Sequence, residues 1–199
     1  TTGRIERVDL ATGRFERLYD SIDGHRLGGP NDIVFDRQGG FWFTDLGKRF
    51  ERQRDHSGLY YSRPDGSHLH QAVYPAVSFN GVGLSPDEKV VYCNDTDTGK
   101  LWAFDIEESG KLVPFKPATT RGRVVCTLPN HQLLDSLAVE ASGKICSATL
   151  LNGGITVFEP NGSYEHIAVP DPLTTNICFG GADLRDAYIT ASGTGKLLK

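Results

Sequence analysis

Residues 133–162, LLDSLAVEASGKICSATLLNGGITVFEPNG, decide how the rest of the chain is read. Asp135 precedes an alternating apolar run, a Gly-containing turn follows, and a second strand begins at once. A lone Asp ahead of a strand is a common turn residue, bonding its own backbone. Here the same order recurs in residues 31–47, NDIVFDRQGGFWFTDLG, and in residues 80–96, NGVGLSPDEKVVYCNDT. Asn31, Asn80 and Asp135 thus open three copies of one unit, roughly 50 residues apart, which is the period of a propeller blade. Side chains at one repeat position of a radial array converge on its axis. Two amides and a carboxylate are oxygen donors, the kind that a hard cation takes.

Outward from these copies, 23 Gly and 10 Pro punctuate the chain at the short intervals of strands and tight turns. Residues 4–9 and 14–19 flank the turn Leu10–Gly13 as a hairpin that matches only the outer half of a unit. Strands are expected near 31–36, 40–45, 57–63 and 68–74, then near 80–85, 89–94, 99–106 and 122–128. A third set falls near 135–140, 144–149, 153–158 and 163–168, and a last near 174–180, 186–191 and 195–199. The stretch 108–122, ESGKLVPFKPATTRG, is expected as a surface loop. The fold class is therefore all-β, a single β-propeller domain over 1–199. It holds a partial blade at 1–20, blades at about 31–74, 80–128 and 135–168, and an incomplete last blade at 174–199, about four blades' worth. The turns Ser85–Asp87 and Arg37–Gly40 should lie at the far end of the blades from Asn31, Asn80 and Asp135. An open ring leaves unpaired edges and apolar blade faces, so self-association, or pairing with an N-terminal segment, is expected of this stretch.

Composition narrows the function. A formal net charge of −4 with no Lys/Arg cluster argues against nucleic acid, and the apolar runs are strand-sized, so no membrane span is expected. Cys93, Cys126, Cys146 and Cys178 lack CxxC spacing and sit among apolar residues, as buried small hydrophobes do. The six His show no i, i+2 or i, i+4 pairing in the expected channel; His68 and His70 share a strand face that we read as facing solvent. The chain opens TTGRIERVDL and contains no Met, so we read its natural start as lying elsewhere, and assign it to the cytoplasm.

Taken in order, GGPNDIVFDRQGGFWFTDLG, FNGVGLSPDEKVVY, DSLAVEASGKIC, NGGITVFEPNG and TTNICFGGADLRDAYIT resemble the SMP-30/gluconolactonase/regucalcin family over nearly the whole chain. The resemblance implies a six-bladed propeller with one divalent cation in its central channel. Ca²⁺ is the first choice, with Zn²⁺, Mn²⁺ or Mg²⁺ as alternatives. It implies hydrolysis of sugar lactones and related esters, with phosphotriester cleavage known in similar propellers. Carried over by position, Asn80 and Asp135 match metal ligands, Asp135 also matches the general base, and Asn31 matches a channel Asn that contacts substrate or, in some relatives, the metal. The family's remaining ligand is a Glu in an E-G-P-like stretch, and none precedes Asn31; Glu6 and Glu16 lie in the outer hairpin. The resemblance thus implies a member shortened at its N-terminus.

These residues suit a lactone or ester substrate whose carbonyl a bound cation would polarise, with Asp135 as base and Asn31 orienting hydroxyls. Asp45, and Asn176 or Thr175 depending on register, are further channel-lining candidates. Two other readings stand beside hydrolysis: a non-catalytic propeller that binds a ligand or metal, and a piece that functions only when paired with the rest of its ring.

Overall fold

The computed structural model describes residues 3–115 and 122–199, and every regular element in them is a strand. The chain opens with the hairpin β1 (Ile5–Val8) and β2 (Phe15–Tyr19), then the two-residue pair β3 (Ser21–Ile22) and β4 (His25–Arg26). The first full blade runs β5 (Pro30–Phe35), β6 (Phe41–Asp45), β7 (Ser57–Ser62), β8 (Leu69–Ala76). The second is β9 (Phe79–Leu84), β10 (Val90–Asp95) and β11 (Lys100–Glu108), with β12 (Lys111–Leu112) and β13 (Arg123–Thr127) both paired to β11. The third is β14 (Leu133–Val139), β15 (Ile145–Leu150), β16 (Gly154–Phe158), β17 (Tyr164–Ala168). A three-stranded sheet follows: β18 (Thr174–Gly180), β19 (Asp186–Ala191) and β20 (Lys196–Leu198). Antiparallel neighbours in chain order, repeated blade by blade, make this a β-propeller.

Burial follows from stacking. In β9 every residue is buried, whereas in β5, the same element one blade earlier, Ile33 and Phe35 are exposed. The second blade is sandwiched on both faces, so its strands lose the half-wet alternation of an open sheet. Trp42, Leu59 and Tyr61 of the first blade pack on Phe79, Val82, Val91, Cys93 and Phe104 of the second. Tyr92, Leu101 and Ala103 then pack on Leu134, Leu137, Ile145 and Phe158 of the third. Cys146, Ala148, Ile155 and Val157 meet Ile177 of the last sheet. The β1–β2 hairpin brings Ile5 and Tyr19 against Phe41, Phe43 and Tyr60.

Three expectations change. The stretch 108–122 is not merely a surface loop. Ser109 and Tyr61 both donate hydroxyl protons to Asp36 Oδ2 at 2.8 Å, and β12 adds a strand edge; residues 116–121 of that stretch lie outside the described residues. Cysteine burial is uneven: Cys93 and Cys146 are buried, Cys126 is half-buried, and Cys178 is exposed because β18 has a neighbouring blade on one face only among the described residues. All four are free thiols. Third, β3, β4 and β12 are short strands absent from the sequence expectation. No helix among the described residues is long and apolar enough to cross a membrane.

Candidate functional site

The inner strands share a defect. In β5, Pro30 pairs with Asp45 and Ile33 with Phe43, so Asn31 and Asp32 together face Thr44. In β9, Phe79 pairs with Asp95 and Val82 with Cys93, so Asn80 and Gly81 face Asn94. In β14, Leu134 pairs with Thr149 and Leu137 with Ser147, so Asp135 and Ser136 face Ala148. In β18 the same shift follows Thr174. Two residues facing one is a β-bulge, which frees a residue from the ladder and re-aims its side chain. The repeat position recognised in the sequence is therefore the first residue of a bulge in each blade. That register corrects one candidate: Thr175, not Asn176, is the equivalent of Asn31, Asn80 and Asp135, and Asn176 is an exposed second bulge residue. Thr175 Oγ1 bonds the hydroxyls of Thr190 at 2.8 Å and Ser192 at 2.7 Å.

The bulges of β9 and β14 touch. A Cβ on Gly81 would stand 2.6 Å from the Asp135 carbonyl oxygen and 2.7 Å from the Leu137 nitrogen, so glycine is what lets the two backbones meet. Asn80 is buried, its Nδ2 donates to Thr96 Oγ1 at 3.1 Å, and Thr96 in turn donates to the Leu134 carbonyl at 2.7 Å. The Asn80 amide lies near enough to the Asp135 carboxylate to favour its charged form, and Asn80 Oδ1 is buried with no hydrogen-bond partner. Burial pushes the Asp135 carboxyl up to about 6; the Asn80 and Ser136 bonds pull it down, and the charge of Asp32 pushes it further up.

Asp32 is the residue that sequence reasoning missed. From the second bulge position its Oδ1 accepts the Ile33 N–H at 2.9 Å and its Oδ2 the Val82 N–H at 3.2 Å, and the Ser136 side chain and Leu137 N–H lie near enough to favour its charged form. One carboxylate ties β5 to β9. Burial raises its pKa in spite of those bonds. The available signal was its acidic character where the other blades have Gly81 and Ser136.

The remaining candidates are placed as follows. Asn31 is exposed at the first bulge. Asp45 is 5% exposed, and its two oxygens accept the N–H groups of Gly28 (2.7 Å), Gly29 (2.6 Å) and Gly47 (2.9 Å), which fixes the approach to Asn31. It lines a cavity of about 900 Å³ with Arg26, Lys48, Arg54, His56 and Tyr74, and neither Asn80 nor Asp135 is among the lining residues. Glu6 and Glu16 form surface ion pairs with Arg4 and Arg7. At the other end of the blades, Glu88 accepts the Arg37 N–H and Arg37 donates to the Pro86 carbonyl at 2.7 Å, while Asp87 bonds its own turn through Ser85 at 2.7 Å.

Oxygen donors suit a hard divalent cation. The orphaned Asn80 Oδ1 and a carboxylate held back from ionising by burial and a second carboxylate are both features that a cation would relieve. Among the described residues no three His, Cys, Asp or Glu side chains are grouped to hold a metal; Asn80 and Asp135 would supply one amide oxygen and one carboxylate as part of a shell.

Bulged first strands, with a polar side chain at the same repeat position, recur from blade to blade of this propeller. The chain belongs to the family described as SMP-30/Gluconolactonase/LRE-like region, whose model matches residues 1–193. It is 30% identical over 179 residues to a 6-deoxy-6-sulfogluconolactonase of Pseudomonas putida, covering 89% of this chain and 58% of that protein. With a gluconolactonase of Zymomonas mobilis it shares 25% identity over 197 residues, covering 90% of this chain and 52% of the relative. A solved gluconolactonase from Xanthomonas campestris superimposes with a TM-score of 0.76 at 28% identity, over 94% of this chain and 62% of that one. The chain spans about half the length of the curated relatives it matches.

Proposed function

We propose that this propeller hydrolyses a lactone, and that Asn80 and Asp135 hold the divalent cation the reaction uses. One observation carries the reading: the buried Asn80 amide oxygen has no partner, on a bulge whose backbone meets that of Asp135. When bound, the cation supplies Lewis-acid polarisation of the substrate carbonyl. Asp135 takes a proton from the attacking water, whose oxygen bonds the carbonyl carbon. The ring C–O bond then breaks, and the proton passes to the leaving alkoxide to give the hydroxy acid. Asn31, exposed at the neighbouring bulge, orients substrate hydroxyls. Ca²⁺ is the first choice of ion, since Asn and Asp oxygens match its preference.

The lactonases and gluconolactonases among the relatives support the substrate class. We infer a cytoplasmic location from the four free thiols, the redox state usual there. The test is turnover of a panel of sugar and aliphatic lactones with Ca²⁺, Zn²⁺ or Mn²⁺ added after chelation. Metal-stimulated ring opening is expected. Cation binding without turnover of any lactone would instead favour a binding propeller.

The open blade faces carry a second proposal. Ile33 is 46% exposed, Phe35 57% and Leu197 68%, on strands that in a ring would each meet another blade. Residues 1–199 produced alone are expected to associate, by light scattering, and to return to a monomer when a partner strand set covers these faces. A monodisperse monomer with a sharp melt would remove this proposal.

A further inference from the structure

The residue opposite each bulge does more than sit in its own sheet. Thr44, facing the bulge of β5, donates its hydroxyl to the carbonyl oxygen of Asn80 in the next blade. Asn94, facing the bulge of β9, donates from Nδ2 to the carbonyl oxygen of Asp135 at 2.6 Å, again one blade onward. In the third blade that place is taken by Ala148, whose side chain has no donor. The forward bond therefore reaches Asn80 and Asp135, the two residues given the cation above, and has no counterpart directed at Thr175.

We propose that Asn94 is a positioning residue that sets the direction of the Asp135 carboxylate, as Thr44 does for Asn80; this rests on the proposed cation site. A bulge takes Asp135 out of the strand ladder, so its peptide carbonyl lacks the neighbour that would fix the peptide plane. Asn94 supplies that partner from a fully buried position. Its own amide cannot turn freely, because Ser147 Oγ donates to Asn94 Oδ1 at 3.1 Å. The Asp135 peptide plane is thus tied through Asn94 to β15. Rotation of that plane would swing the Cα–Cβ bond and carry the carboxylate away from Asn80 Oδ1. Supporting groups behind a metal ligand are typically worth about 10- to 100-fold in affinity.

The fold supplies its own conservative swap, since a threonine already makes this bond at position 44. Asn94→Thr and Asn94→Val are nearly isosteric and differ in having a hydroxyl to donate. Each is titrated with Ca²⁺ by calorimetry, well below its melting temperature, beside wild type and Asp135→Asn. Asn94→Thr is expected to bind within about threefold of wild type, and Asn94→Val at least about tenfold more weakly. If Asn94→Val fails to fold, Ser147→Ala decides, because it releases the Asn94 amide while leaving the donor in place; a loss of about two- to fivefold is expected. Unchanged Ca²⁺ affinity in Asn94→Val, or in Ser147→Ala where it must stand in, overturns the proposal if Asp135→Asn abolishes binding. If Asp135→Asn itself binds Ca²⁺ like wild type, the cation-site reading has failed and the positioning role goes with it.

Discussion

Asp135→Asn is expected to lose most divalent-cation affinity and about 10²–10⁴ of lactone turnover, while raising the stability of the chelated protein. The two effects have one cause. In the metal-free fold the carboxyl is raised from the ordinary 3.8 to about 6, chiefly by burial, so ionising it opposes folding. Protons are held more tightly in the folded state. The folded state therefore has its full advantage below about pH 3.8 and loses it as pH rises through about 6. The penalty above that window is of order 2–3 kcal/mol. An amide of the same shape does not ionise and escapes it. Melting in chelator should show the variant and wild type close together near pH 4 and the variant higher by several degrees at pH 7.5. A variant less stable than wild type at both pH values would show that the carboxylate is a structural anchor instead.

Gly81→Ala carries the other large expected effect. A methyl at this position has backbone on every near side: the Asp135 carbonyl at 2.6 Å, the Leu137 nitrogen at 2.7 Å and the Ser136 carbonyl carbon at 2.8 Å. No flexible side chain can give way, so β9 and β14 must part. That separation pulls on Asn94–Asp135 and Thr96–Leu134, the bonds that align the two bulges. A loss of about 2–4 kcal/mol in chemical denaturation is expected, typical of overpacking against a rigid neighbour. Cation affinity should fall with it even in the fraction that remains folded. Gly83→Ala offers the comparison: its added methyl meets the Leu137 and Val139 side chains, which can move, and it should leave cation affinity nearly intact.

Sequence and structure agree where the signal is local. In each unit the opening Asn or Asp, the first strand and the turn that follows are neighbours in sequence, and the recurrence of that local pattern at Asn31, Asn80 and Asp135 places the blades. What stayed hidden lies across blades. Asp32 bonds Val82, and Asn94 bonds Asp135, over 50 and 41 residues of chain, and nothing in either local pattern marks the partner. The choice between Asn176 and Thr175 turned on one extra residue in β18, which alternation alone does not reveal because a bulge resets it. Ser109 read as loop because its neighbours are charged and glycine-rich, yet its hydroxyl closes a bond to Asp36 in another blade. Cys178 read as buried because its flanks are apolar, although burial in a propeller depends on whether a neighbouring blade covers that face.

The central claim is that a divalent cation sits between Asn80 and Asp135. It is tested most directly by anomalous diffraction from crystals of the protein equilibrated with Mn²⁺ or Ca²⁺. The expected result is a single strong peak about 2.2–2.6 Å from Asn80 Oδ1 and from one Asp135 carboxylate oxygen. A peak elsewhere, or none, with Asn80 Oδ1 accepting a hydrogen bond from a protein donor, would contradict it.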